Sequence, residues 1–172
     1  MSEKTYEEIV DDAFNNNNSF NIYNSDREHA KTLIKKLFSV AEKNIFLYTS
    51  GLDIEFYRDD NFNTKIPITI ILDKESNKEE FKTIFPQATI HTIKENSPNF
   101  FINMSKEIGD SAYSRIKHFM TVDKKSFRVE QPHPQTGTKE VSAIANANKP
   151  EIAKQLNRDF QEIEKRFCTI AV

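Results

Sequence analysis

One cysteine, no tryptophan and three glycines stand in a chain of 172 residues, and each scarcity removes a class of function. Cys168 has no partner for an internal disulfide, and without a second thiol a thiolate metal cluster is excluded. Three glycines leave no room for a glycine-rich phosphate loop of either common type. No apolar run is long enough to cross a bilayer, and the mean hydropathy of -0.64 agrees. The segment Met1–Glu8 is polar and acidic, without the apolar stretch of a secretion signal, so a cytoplasmic protein is expected. An excess of basic charge is also missing. With 24 Lys and Arg against 26 Asp and Glu, the net charge is -2. That denies the global basic field of a typical nucleic-acid binder and leaves only a local patch. The four histidines, His29, His91, His118 and His133, are too far apart for short ligand spacing. Neither a metal nor any other cofactor is expected.

What remains suits one soluble α/β domain. The hydrophobic share is 37%, with 14 phenylalanines, enough for a core without metal or disulfide staples. Residues 1–20 read as a helix plus linker: Tyr6, Ile9, Val10, Ala13 and Phe14 share one face, and Asn15 to Asn18 interrupt it. Residues 21–172 form the main domain. Its first helix spans Ser25 to Lys43, where Ser25 and Glu28 make a capping-box pattern and Ala30, Leu33, Ile34, Leu37 and Phe38 recur at helical spacing. Asn44 to Thr49 and Ile66 to Leu72 are apolar on both faces, as buried interior strands are. Pro67 belongs at the start of the second. A short helix over Leu52 to Arg58 lies between them. Lys78 to Phe85 reads as a helix stopped by Pro86, and Ala88 to Ile93 as a half-buried strand. Residues 94–112 are irregular, anchored by Phe100, Phe101 and Ile102. Val141 to Asn146 is a last strand, and Pro150 opens a closing helix with the stripe Ile152, Leu156, Phe160, Ile163 and Phe167.

The chemistry-bearing stretch is Arg115 to Glu130, a hairpin turning near Asp123, with a basic first strand that holds Arg115, Lys117 and His118. The loop 131–138 follows, and then Ser142 and Asn146. This order resembles one half of the phospholipase D-like fold, an α/β/α sandwich with a mixed central sheet. In that superfamily a His-x-Lys strand is followed by an Asp four residues beyond the Lys, then by a Ser and an Asn on the next strand. The resemblance implies a histidine that attacks phosphorus, a lysine that holds the phosphate oxygens, and two motifs meeting across a dyad. A chain with one motif would then act as a homodimer. Here the pattern departs in either register. Anchored on Asp123, Ile116 takes the nucleophile position and His118 the lysine position. Anchored on His118, Met120 replaces the lysine and Lys125 the aspartate. The likeness is to uncharacterised bacterial domains whose catalytic set has decayed, so a bacterial or mobile-element origin is expected.

Each candidate carries two readings. His118 alternates with Ile116, Met120 and Val122, as a core-facing histidine does, or it is a remnant phosphate ligand or lone nucleophile. Arg115 and Lys117 form a solvated strand face, or contact phosphate or nucleic acid. Asp123 is a turn residue or a catalytic remnant. Ser142 and Asn146 hydrogen-bond a substrate oxygen, or cap the closing helix, a task for which Asn148 is better placed. His91 belongs on a sheet face, and Cys168 is inert. The expected function is a non-catalytic phospholipase D-like module for protein or nucleic-acid interaction. The alternative is a weak homodimeric phosphodiesterase or nuclease with His118 as nucleophile.

Overall fold

The apolar runs of the sequence pair into one seven-stranded mixed sheet. Its strands are β1 (Asn21–Asn24), β2 (Ile45–Thr49), β3 (Ile68–Leu72), β4 (Thr89–Thr92), β5 (His118–Val122), β6 (Ser126–Glu130) and β7 (Ala143–Asn146). Their order is β1-β7-β6-β5-β2-β3-β4. The computed structural model describes residues 3–49, 54–58, 62, 65–73, 77–94, 102–114, 116, 118–131 and 142–168. The sequence-based expectations for Arg115, Lys117, His133, Ser50 to Asp53 and Phe100 to Phe101 fall outside these residues.

The β-branched and aromatic runs of β2 and β3 sit at the interior, as their two-sided hydrophobicity requires. They pair in parallel with each other, and β3 pairs in parallel with β4. β5 is antiparallel to β2, so the hairpin and β7 add an antiparallel half to a parallel one. Pro67 stands just before β3, where its missing N–H costs no ladder bond and its carbonyl accepts from Ile45 N–H at 3.0 Å.

Two hydrophobic clusters cover the two faces. On one, Ile45, Leu47, Ile68, Ile70, Leu72, Met120 and Val122 pack under α1 (Tyr6–Asn15), α2 (Arg27–Ser39), α3 (Glu55–Arg58) and α4 (Lys78–Ile84). Phe38, Tyr57, Phe62, Phe81 and Phe85 join there as a ring cluster with centroids 4.6–6.4 Å apart. On the other face, Tyr48, Ile71, Phe119, Phe127, Val129 and Ile144 meet α6 (Pro150–Phe167), through Ile152, Leu156, Phe160 and Ile163. The short α5 (Ser105–Ile108) and a 3-10 turn over Ser111–Tyr113 complete that layer.

Four local features differ from the sequence-based expectation. The N-cap of α2 is Asp26, not Ser25: its Oδ1 accepts from His29 N–H at 2.8 Å, and its Oδ2 lies 2.8 Å from His29 Nδ1. A charged cap at a helix N-terminus makes a stronger bond than a hydroxyl, and Ser25 serves as the link from β1. The capping box occurs instead in α1, where Thr5 and Glu8 bond reciprocally at 3.3 and 2.7 Å. Residues 21–24 form a strand that the polar sequence Asn-Ile-Tyr-Asn conceals, because β1 is an edge strand held by antiparallel pairing to β7. The closing helix is capped at Lys149 with no side-chain bond, while Asn148 Nδ2 donates to the Asn17 carbonyl at 3.0 Å.

The hairpin turn has φ of 55° at both Asp123 and Lys124, with Lys125 N–H bonded to the Val122 carbonyl at 3.0 Å. The ladder pairs Val122 with Ser126, so the loop holds three residues, 123–125, and its two left-handed positions are ones that Asn and Gly fill most easily. Asp123 does more than turn. Its carboxylate accepts from the N–H groups of Glu42, Lys43 and Asn44 at 2.8, 2.8 and 2.9 Å, tying the hairpin to the loop that feeds β2. Asp123→Ala therefore removes three charge-assisted bonds and should cost about 2–3 kcal/mol by urea unfolding. Lys124→Gly, which relieves a left-handed residue, should raise stability by up to about 1 kcal/mol.

Candidate functional site at the strand ends

Parity along β5 sets which face His118 serves. It shares the face of Met120 and Val122, beneath α2 and α3, and its ring is half-buried. Directly across the ladder stands Glu130, and across from Met120 stands Arg128. These two charges lie on the same face and form an ion pair at 2.8 Å, each side chain only 8% exposed. Beyond Glu130 in the same row come Ala143 and then Asn24. The small alanine leaves the space in which these longer side chains lie. A cavity of about 30 Å³, lined by Thr49, Tyr57, His118, Met120, Arg128 and Glu130, marks the end of the strands. It has room for about one water.

Neither Arg128 nor Glu130 was singled out in the sequence. Ser-Phe-Arg-Val-Glu alternates charged with apolar residues, which reads as a strand with one wet face. Burial of both faces puts the charges inside. The Nε atom of Arg128, both side-chain polar atoms of Asn24 and the hydroxyl of Tyr6 are buried without a hydrogen-bond partner among the described residues. Burial holds the Tyr6 hydroxyl well above its ordinary pKa against the opposing pull of the Arg128 guanidinium, with Asp26 adding a smaller push upward.

The other sequence candidates separate. Ser142 lies at the same end as His118: it is exposed, and its carbonyl accepts from Gln131 N–H at 3.0 Å. Burial pushes the Tyr113 hydroxyl up to about 12, with Ser142 acting in the opposite direction. Asn146 sits at the far end of the sheet, fully buried, on the opposite face. Its Nδ2 donates to Ser19 O and Asn21 Oδ1 at 2.8 and 2.9 Å, and its Oδ1 accepts from Asn148 N–H at 3.0 Å. It stitches the start of β1 to the end of β7. Asp123 is at that far end too. The ladder thus brings His118 and Ser142 toward one end and Asp123 with Asn146 to the other, while Arg115 and Lys117 lie outside the described residues.

Ile116, the nucleophile position in the Asp123 register, is 0% exposed. It bridges Ile102 through N–H···O bonds of 2.7 and 2.9 Å and packs in the cluster under α6, away from His118. The regular strand begins only at His118, so the i, i+2 rule does not align the two side chains. Among the described residues no group of three or more His, Cys, Asp or Glu side chains could hold a metal ion. Cys168 is buried, and that burial pushes its thiol up to about 11, away from thiolate chemistry at neutral pH. No described helix is long and apolar enough to cross a membrane.

No protein-family model matches the chain, and no curated protein matches it in sequence. Solved structures do match its fold. NucT from Helicobacter pylori superposes with a TM-score of 0.54 at 13% identity, covering 88% of this chain and 99% of that one. Nuc from Salmonella typhimurium, a phospholipase D family member, does so with a TM-score of 0.51 at 12% identity, covering 88% and 100%. The archaeal chromatin protein TrmBL2, with a novel mode of DNA binding, gives a TM-score of 0.53 at 8% identity over 87% of this chain. This chain spans about half of TrmBL2, 54% of its length. The fold is phospholipase D-like: an α/β/α sandwich around a mixed sheet.

The buried ion pair supplies a test of the site's architecture. Arg128→Met alone leaves Glu130 charged and without its guanidinium, and should cost about 3–5 kcal/mol. Arg128→Met combined with Glu130→Leu should cost much less, or nothing. Chemical denaturation of the single and double variants reads the difference.

Proposed function

We propose that this chain is a non-catalytic phospholipase D-like module that binds protein or nucleic acid. The observation that carries this reading is Ile116: a core side chain, 0% exposed, stands where the Asp123 register would require the nucleophile. Around His118 the nearest cation among the described residues of the cavity is Arg128, and Glu130 already neutralises it. Phosphoryl transfer through histidine needs a nucleophile, a cationic clamp on the non-bridging oxygens and a proton donor. Removal of one preorganised donor costs ~10²–10³ in rate, and removal of several leaves little. The fold neighbours, which include a DNA-binding chromatin protein, support a binding role on this scaffold. A cytoplasmic, bacterial or mobile-element protein fits the same reading.

The second reading, a weak phosphodiesterase or nuclease with His118 as nucleophile aided by Lys117, draws on the partial exposure of His118 at the strand ends. The two separate cleanly. The wild type should show no hydrolysis of bis(p-nitrophenyl) phosphate or single-stranded DNA, and His118→Ala should fold normally and change nothing. Turnover that disappears in His118→Ala would promote the second reading.

Self-association as a homodimer belongs to both readings. Phe20, just before the edge strand β1, and Tyr23, within it, are 45% and 56% exposed and offer apolar surface for it. Light scattering at tens of micromolar should give twice the 20.0 kDa of the chain; a monomer throughout removes the dimer and the two-site enzyme with it.

A further inference from the structure

Among the described residues, several lysines gather at the end of the sheet away from His118. An open groove of about 440 Å³ runs between the C-terminal ends of α1 and α2, the loop into β2 and the hairpin turn. Lys43 and Lys125 line it. Lys124 adjoins Lys125 in the turn, and Lys149 is held beside it by its N–H bond to the Lys125 carbonyl at 2.9 Å. Four lysines from three loops are thus gathered at one place. The Asp123 clamp on residues 42–44 fixes two of those loops to each other.

Among the described residues, none of the four ammonium groups is paired with a carboxylate. Lys125 Nζ bonds the neutral side-chain oxygen of Asn17, whereas nearby Lys36 is ion-paired to Asp11 at 2.6 Å. Two carboxylates line the groove, Glu42 and Asp123, and three backbone N–H groups already hold that of Asp123. The ends of α1 and α2 present carbonyls here, so any attraction for an anion comes from the lysines and not from a helix dipole. Lysines spread over several loops act as separate point charges. They match a row of singly charged phosphates better than one compact dianion, which needs convergent donors.

We propose that this groove contacts the phosphodiester backbone of nucleic acid, without sequence preference, and that the motif end of the sheet does not. The inference rests on the binding-module reading and names its partner class and surface. The test is fluorescence anisotropy with labelled single-stranded and duplex oligonucleotides between about 50 and 200 mM salt. Wild type should bind with a steep salt dependence. The combination Lys43→Gln, Lys124→Gln, Lys125→Gln and Lys149→Gln should weaken binding at least about tenfold. It should also flatten the log–log salt slope by ~0.7–0.9 for each phosphate that is no longer neutralised. The four corresponding Lys→Arg changes should keep binding, and His118→Ala should leave it unchanged. Circular dichroism checks that each variant is folded. Equal binding by wild type and the Gln variant overturns the proposal, as does abolition of binding by His118→Ala. So does a wild type that takes an acidic peptide such as polyglutamate but no oligonucleotide, or that binds neither. Hydrolysis by the wild type would sink the non-catalytic reading while leaving the groove result to stand by itself.

Discussion

The carboxylate of Asp123 is the contact on which the arrangement of this sheet depends. It accepts three N–H groups from residues 42–44 at 2.8–2.9 Å, joining segments some 80 residues apart in sequence. Those amides precede β2, whose first residue pairs with Val122, the residue before Asp123. The clamp therefore sets the register in which the antiparallel hairpin meets the parallel β2–β3 pair. Since a slip of one residue would send every side chain to the wrong face, the placement of Met120, Val122 and His118 under α2 follows from it. A non-glycine turn with two left-handed residues is tolerated here because the carboxylate anchors it to the loop before β2.

From that register follow the two polar features inside the fold. One is the Arg128–Glu130 pair, buried because β6 is covered on both faces. Such a pair offers little net stability against an apolar equivalent, yet removal of one partner is costly. It also engages the buried guanidinium beside His118 in the cavity. The other is Asn146, whose amide satisfies three polar groups at the junction of β1, β7 and α6. With both Nδ2 hydrogens donated and the residue 0% exposed, it has no donor left to offer a substrate.

Parallel strands with helical crossovers bring ligands to the carboxyl ends of the strands, which here is the His118 end. The lysine groove lies at the other end, where antiparallel pairing has brought a hairpin turn and two loops together. His118 and the lysine groove thus stand at opposite ends of the same sheet.

Much of the fold was legible from residue patterns. Two-sided apolar runs marked β2 and β3 as interior, Pro86 and Pro150 marked helix ends, and the stripe from Ile152 to Phe160 marked α6. Each of these rests on local periodicity or backbone chemistry, which the chain carries regardless of its partners. The edge strand β1 was hidden, because pairing with β7, not its own polar residues, makes it a strand. The cap at Asp26 was missed by one residue, since only the end of β1 decides where α2 can begin. Likewise the amino acids alone offer His118, Asp123, Ser142 and Asn146 only as separate candidates of a motif that departs from the family pattern. Whether they meet depends on strand order and register, and the ladder sends them to opposite ends. Sequence determined which residues prefer strand, helix and turn; tertiary structure alone decided which charges are buried and which share a surface, because those outcomes depend on contacts between segments far apart in the chain.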